Sequence, residues 1–130
     1  MKSHTILYVD DQTKSTEFYA MVLNKKPRLN APGMTEFELA ADSVLGLMPK
    51  PGILRLLANN IPDTAAPTGL LRAEIYLIVD NPAEYHRRAL DCGAQNMSDL
   101  AKRDWGHLAA YCLDPDGHVL AFAADLSTAS

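Results

Sequence analysis

Two stretches of this chain carry the same run of apolar and polar positions. Glu74-Ile75-Tyr76-Leu77-Ile78-Val79-Asp80-Asn81 restates His4-Thr5-Ile6-Leu7-Tyr8-Val9-Asp10-Asp11 about 70 residues later. Both runs are rich in β-branched and aromatic residues and read as buried strands. Each ends on an Asp followed by a second capping-type residue and leads into a segment with helical spacing. A repeat whose offset exceeds half the chain predicts two related modules that cover each other.

In the first module the pattern predicts a strand at 5–9 and a helix over about 13–24. Asp10 or Asp11 is placed to cap that helix, because either carboxylate accepts bonds from free first-turn amides. Phe18, Met21 and Val22, with Tyr19 and Leu23, form its apolar face. Asn24 suits the helix end, Lys25 and Lys26 favour the negative dipole end, and Pro27 stops continuation. Segments 35–41 and 44–48 read as a hairpin around Asp42-Ser43. Residues 49–52 form a loop and 53–58 a fourth strand. Residues 59–69, rich in Asn, Pro, Asp and Thr, are the longest loop and the best linker between the halves.

The second module repeats the order. A strand at 74–79 precedes a helix over about 83–92, opened by Asn81-Pro82 and ended by Gly93. A short strand is expected near 95–98 and a loop over 99–106. Strands at 108–113 and 118–124 are joined by Asp114-Pro115-Asp116-Gly117, a strong turn sequence. The reading is an α+β fold of two βαβββ modules, about 1–62 and 70–126, within a single domain. One helix covers one face of each four-stranded sheet. The other faces curl around a cavity where the modules meet, the usual place for a small-molecule site.

Composition narrows the function classes. The chain has 130 residues, 48% of them apolar and 22% charged, which fits a folded globular protein. The net charge is −4, and the only adjacent basic pairs are Lys25-Lys26, Arg87-Arg88 and Lys102-Arg103. Sequence-independent nucleic-acid binding needs several cations on one face, so no nucleic-acid partner is expected. No apolar run approaches the roughly 18 residues of a membrane span, and no basic-then-apolar segment opens the chain. A cytoplasmic protein without a membrane partner is the expectation. Cys92 and Cys112 form no C-x-x-C pair, sit in different predicted elements, and read as free thiols. There is no G-x-S-x-G, no phosphate-binding glycine loop and no H-E-x-x-H.

Several of these residues carry a family resemblance. His4-Thr5-x-Leu7-x-Val9-x-Asp11 followed by Phe18-Tyr19 and Val22-Leu23, then Ile75-x-Leu77-x-Val79-Asp80, then Trp105-Gly106 and Leu113-Asp114-Pro115-Asp116-Gly117-His118, resemble the vicinal oxygen chelate superfamily. That group includes glyoxalase I, extradiol dioxygenases and bleomycin-resistance proteins. The resemblance spans almost the whole chain and implies the fold more strongly than any one reaction. It also implies a homodimer.

The resemblance further implies a divalent metal (Ni, Zn, Mn or Fe) held at four strand positions. Carried onto this chain, the strand-one position is His4 and the strand-five position Glu74, both able to ligate. Strand four offers Arg55, which has no lone pair for a metal, and the last strand offers Ala121. His4 and Glu74 make an incomplete metal site, since catalytic sites usually take three or more protein ligands. Arg55 could pair with Glu74, bind an anionic ligand, or face solvent. By strand alternation Tyr8 shares a face with His4, and Tyr76 with Glu74. Tyr8, Tyr76 and Trp105 then line a cavity suited to planar or amphipathic ligands, or else pack the module interface.

The leading expectation is a glyoxalase/bleomycin-resistance-like protein that binds a small organic molecule without a complete metal site and without a cofactor. In that reading Tyr8, Tyr76 and Trp105 are walls, and Arg55 and Glu74 are polar anchors. The alternative is a lyase, isomerase or thiol transferase of the glyoxalase type. It would have a metal on His4 and Glu74, or Glu74 as a metal-free catalytic base.

Overall fold

The computed structural model describes residues 1–57 and 72–126. The expected linker at 59–69 lies outside them. The chain divides into two compact units, Met1–Leu70 and Leu71–Ser130. Each unit contains a four-stranded mixed sheet, so the expected α+β class with two βαβββ modules is observed.

In the first unit β1 (Ser3–Val9) leads into α1 (Gln12–Leu23), then β2 (Leu29–Ala31), β3 (Met34–Ala40), β4 (Ser43–Pro49) and α2 (Lys50–Leu57). The sheet order is β1-β4-β3-β2, with β1 and β4 parallel and the other pairs antiparallel. Asp11 caps α1 by accepting the Lys14 N–H at 3.0 Å. Asn24 ends the helix in the left-handed region at φ 54°, a conformation Asn tolerates better than most residues. The buried stripe of α1 is Ser15, Thr16, Phe18, Tyr19, Val22 and Leu23. Met21, expected on that stripe, is 62% exposed. The i, i+3, i+4, i+7 row from Ser15 runs through Phe18, Tyr19 and Val22 and leaves position 21 outside. Small polar Ser15 and Thr16 let the first turn approach the sheet, and the Thr16 and Thr35 hydroxyls meet at 2.9 Å.

Of the expected strand at 53–58, the described residues 53–57 instead belong to helix α2, and 58 lies outside the described residues. A short apolar run does not distinguish strand from helix by periodicity, and Leu and Arg favour the helix. The fourth strand of the module is β2, three residues between Pro27 and Pro32 that are too short to signal themselves.

In the second unit β5 (Glu74–Ile78) is followed by α3 (Pro82–Asp91), β6 (Gln95–Lys102), β7 (His107–Leu113) and β8 (Val119–Asp125). The order β5-β8-β7-β6 repeats that of the first sheet, again with one parallel pair. Asn81 caps α3 from its side chain, with Pro82 in the first turn. Tyr85 of α3 packs on Phe122 of β8, ring centroids 5.7 Å apart, so α3 covers the Phe122 side of this sheet. Leu120, Phe122, Ala110 and Cys112 are fully buried there.

Strand β6 continues through 102, into the expected loop, despite its polar sequence. Side-chain bonds at this sheet edge account for the length. Arg103 donates to the Ala109 carbonyl at 2.7 Å and to the Ser98 hydroxyl at 2.9 Å. Asn96 bonds His86 at 3.0 Å and Asp99 at 2.8 Å.

Burial, then the Asp114 carboxylate, pushes the Cys112 thiol from 9.0 up to about 11. The folded protein therefore holds this proton after the unfolded chain has lost it. The stability tied to the thiol is complete below about pH 9 and is lost as pH rises through about 11. Urea unfolding is expected to show falling stability across that window, with a shallower fall in Cys112→Ala. Equal slopes in the two proteins would contradict the assignment.

Candidate functional site

In the second sheet, strand register sorts the side chains. Glu74, Tyr76 and Ile78 of β5 stand opposite Val119, Ala121 and Ala123 of β8. Those in turn face Leu113, Tyr111 and Ala109 of β7. Alternation puts this set on the face away from α3. A pocket of about 510 Å³ opens here, lined by Arg72, Glu74, Met97, Ser98, Tyr111 and Val119 among others. Met97, Val119 and the Tyr111 ring are its apolar walls. Arg72 and Glu74 bring opposite charges to the start of β5. Neither has an ion-pair or hydrogen-bond partner among the described residues. Burial, then the Glu74 carboxylate and Tyr76, raise the Tyr111 phenol above its ordinary 10.0, against an opposing pull from Arg103. Tyr111 is therefore a protonated hydroxyl near neutral pH, able to donate to a ligand. The Arg103 guanidinium sits 5.2 Å from the Tyr111 ring centroid and steadies that wall.

Beside the pocket, the Tyr76 oxygen accepts from Trp105 Nε1 at 2.9 Å and lies 2.6 Å from His107 Nδ1. His107 Nε2 lies 3.2 Å from Asp125 Oδ1. The Tyr76 and His107 rings stack, 5.7 Å apart at 26°. Of the residues expected at a site, Glu74 and Tyr76 lie on β5 and Trp105 lies in the turn before β7, with its indole bonded to Tyr76. Arg72, Tyr111, His107 and Asp125, which lie near them, were not among the expected residues. Starting β7 one residue earlier would have exposed the alternation His107, Ala109, Tyr111. Asp125 lay one residue beyond the expected last strand.

The other expected residues belong to the first unit. His4 Nδ1 is 3.5 Å from Glu36 Oε2, and Glu36 also pairs with Arg28 at 2.9 Å. The strand between them, β4, puts Gly46 opposite both Ile6 and Glu36. Tyr8 is 44% exposed on β1. Arg55 lies exposed in the last turn of α2, not on a strand. A second pocket of about 330 Å³ is lined by Gln12, Thr16 and Asn30. Gln12 bonds Thr35 and the Ala31 carbonyl and accepts from the Gly33 N–H. Thr35 binds Asn30, so these groups are spent on one another.

The sequence profile of the Glyoxalase/Bleomycin resistance protein/Dioxygenase superfamily matches residues 3–122. The chain belongs to this superfamily. Solved structures share its fold at low sequence identity. A glyoxalase-related enzyme from Fulvimarina pelagi is 20% identical, with a TM-score of 0.81 over 96% of this chain and 88% of that one. A glyoxalase/bleomycin resistance protein/dioxygenase family enzyme from Burkholderia phytofirmans PsJN is 17% identical, with a TM-score of 0.79 over 95% and 98%. TioX from Micromonospora sp. ML1 is 16% identical, with a TM-score of 0.69 over 97% and 99%. No curated protein matches the sequence. No helix among the described residues is long and apolar enough to cross a membrane.

The metal-binding members of the superfamily supply the test for a metal centre. With strand four correctly placed at β4, the residues sharing the His4 face are Val44, Gly46 and Met48. None offers a carboxylate or imidazole. In β8 the expected ligand position is Ala121, opposite Tyr76. Among the described residues no three His, Cys, Asp or Glu side chains are grouped to hold a metal ion. The donors at these superfamily positions do not fit a metal centre.

Proposed function

We propose that this superfamily member binds a small organic molecule in the pocket on the second sheet, without a metal between ligand and protein. The observation that carries the reading is the pair Arg72 and Glu74. They are charges of opposite sign that line one apolar-walled pocket and have no partner among the described residues. An unpaired charge beside an apolar wall gains most when a ligand supplies its counter-group. The ligand this suits has an apolar body, an anionic group for Arg72 and a donor group for Glu74. Arg72 takes the role that sequence analysis gave to Arg55. Glu74 keeps its role as anchor, and Met97, Val119 and Tyr111 form the walls.

The test is a titration of small carboxylates and amino acids followed by the fluorescence of Trp105, the single tryptophan. For any compound that binds, Arg72→Gln and Glu74→Gln are each expected to weaken it about tenfold or more, since a charge-assisted hydrogen bond contributes roughly 1.5–3 kcal/mol. Chelator is expected to leave the wild-type affinity unchanged. Binding that needs added divalent metal, or that ignores both substitutions, would contradict the proposal.

A further inference from the structure

Met97 and Ser98 are consecutive in β6, yet both line the pocket on the second sheet. A regular strand would turn them to opposite faces. The register with β7 shifts between Asn96 and Ser98 and again between Ser98 and Ala101, so β6 carries an extra residue on each side of Ser98. Bulges of this kind re-aim side chains and break the backbone ladder locally. Arg103 closes the gap. Its Nη2 donates to the Asp99 carbonyl at 3.1 Å and to the Ala109 carbonyl at 2.7 Å, and Nε reaches the same Ala109 oxygen at 3.2 Å. Ala109 is fully buried, so a carbonyl without a donor there would carry the cost of an unsatisfied polar group.

The same Nη2 donates to the Ser98 hydroxyl at 2.9 Å, and the guanidinium carbon lies 5.2 Å from the centre of the Tyr111 ring. Ser98 and Tyr111 are cross-strand neighbours, so one side chain fixes two adjacent parts of the pocket wall. A guanidinium has N–H groups and no acceptor, so Ser98 Oγ is the acceptor of this bond. The O–H hydrogen of Ser98 is left over, and it has no acceptor among the described residues. Glu74 and Ser98 lie on β5 and β6, the outermost strands of this sheet, three strand spacings or about 14 Å apart across it.

We infer that Ser98 is a specificity-determining residue of the pocket. It donates a hydrogen bond to an acceptor oxygen at the end of the ligand away from Arg72 and Glu74, and Arg103 is the positioning residue that commits it to donate. This role of Ser98 rests on the binding reading above and adds to it the far end of the ligand. The ligand is then elongated. It has an anionic group and a donor group at β5, an apolar body over Val119 and Tyr111, and a carbonyl or ether oxygen at β6. A ligand that brings only an N–H group to Ser98 meets an oxygen already engaged by Arg103.

The test is calorimetric titration of metal-stripped protein with two amino acids of matched size, 4-acetylphenylalanine and 4-isopropylphenylalanine. The first carries a carbonyl oxygen where the second carries a methyl group. The quantity read is the ratio of the two affinities and its change between proteins, because the differing hydration of the free probes is common to every titration and cancels. Relative to wild type, Ser98→Ala is expected to shift the ratio about three- to tenfold against the acetyl compound, the span of one hydrogen bond. Arg103→Met keeps an apolar stem beside Tyr111 and removes the donors. It is expected to shift the ratio in the same direction, and the double substitution no further than Ser98→Ala alone. A purely structural role of Arg103 lowers both affinities together and leaves the ratio unmoved. Circular dichroism checks each fold, and Ser98→Ala, which leaves Arg103 its two carbonyls, tests the donor by itself if Arg103→Met does not fold. A ratio unchanged in Ser98→Ala overturns the inference while the binding reading stands. A ratio that shifts in Ser98→Ala and not in folded Arg103→Met overturns the role of Arg103. Wild-type protein that binds neither compound overturns the inference, and the titration of small carboxylates and amino acids shows whether the binding reading falls with it.

Discussion

Phe122→Ala is expected to destabilise the second unit by about 3–5 kcal/mol, a large share of the roughly 5–15 kcal/mol that holds a typical domain together. Phe122 is fully buried in β8, between β5 and β7, and packs under Tyr85 of α3. The neighbouring core positions Ala89, Ala110 and Ala124 are small, so little can move in to fill the space left by the ring. Phe122→Leu keeps most of the volume and is expected to cost less than half as much. Urea denaturation followed by far-ultraviolet circular dichroism measures both. Equal, small losses would show that α3 is not anchored through this ring.

Asp114→Ala is expected to be the next most damaging change, at about 2 kcal/mol. The Asp114 side chain is fully buried at the turn that joins β7 to β8. One oxygen accepts the Asp116 N–H at 2.9 Å and the His118 N–H at 2.8 Å. The other lies 2.9 Å from His118 Nδ1. Alanine leaves two backbone donors without this acceptor and removes the carboxylate beside His118 Nδ1. Asp114→Asn retains a carbonyl oxygen for the two backbone bonds and is expected to lose about half as much. A loss in Asn equal to that in Ala would place the effect in the His118 pair rather than in the turn. Because Gly117 sits at φ 87°, open to glycine and strained for other residues, the turn has little freedom to form differently.

The elements legible in the sequence were those whose local chemistry was self-sufficient. Asp11, Asn24 and Asn81-Pro82 bound their helices at or within one residue of the expected ends. The repeated hydrophobic runs became β1 and β5, and the turn sequence at 114–117 joined two strands. Elements defined by tertiary context were misread. Residues 53–58 have a composition compatible with either state, and only the pairing of β1 with β4 shows that the sheet is complete without them. Strand β6 depends on Arg103 and Asn96 side chains that bond across it, which no period reveals. The same division holds for the site. Glu74 and Tyr76 follow from strand alternation. His107 reaches Tyr76 across β8, and Asp125 meets His107 rather than Tyr76, contacts that no strand period reveals. Arg55 lost its expected register because its segment is a helix.

The central claim is that the second sheet binds a small organic molecule at Arg72, Glu74 and Tyr111 without a metal. The most direct test is amide chemical-shift mapping by NMR, titrating small carboxylates into metal-stripped protein in the presence of chelator. The account predicts shifts concentrated at Arg72, Glu74, Met97, Ser98, Tyr111 and Val119. Shifts that appear only after divalent metal is restored, or that gather around His4 and Glu36, would contradict it.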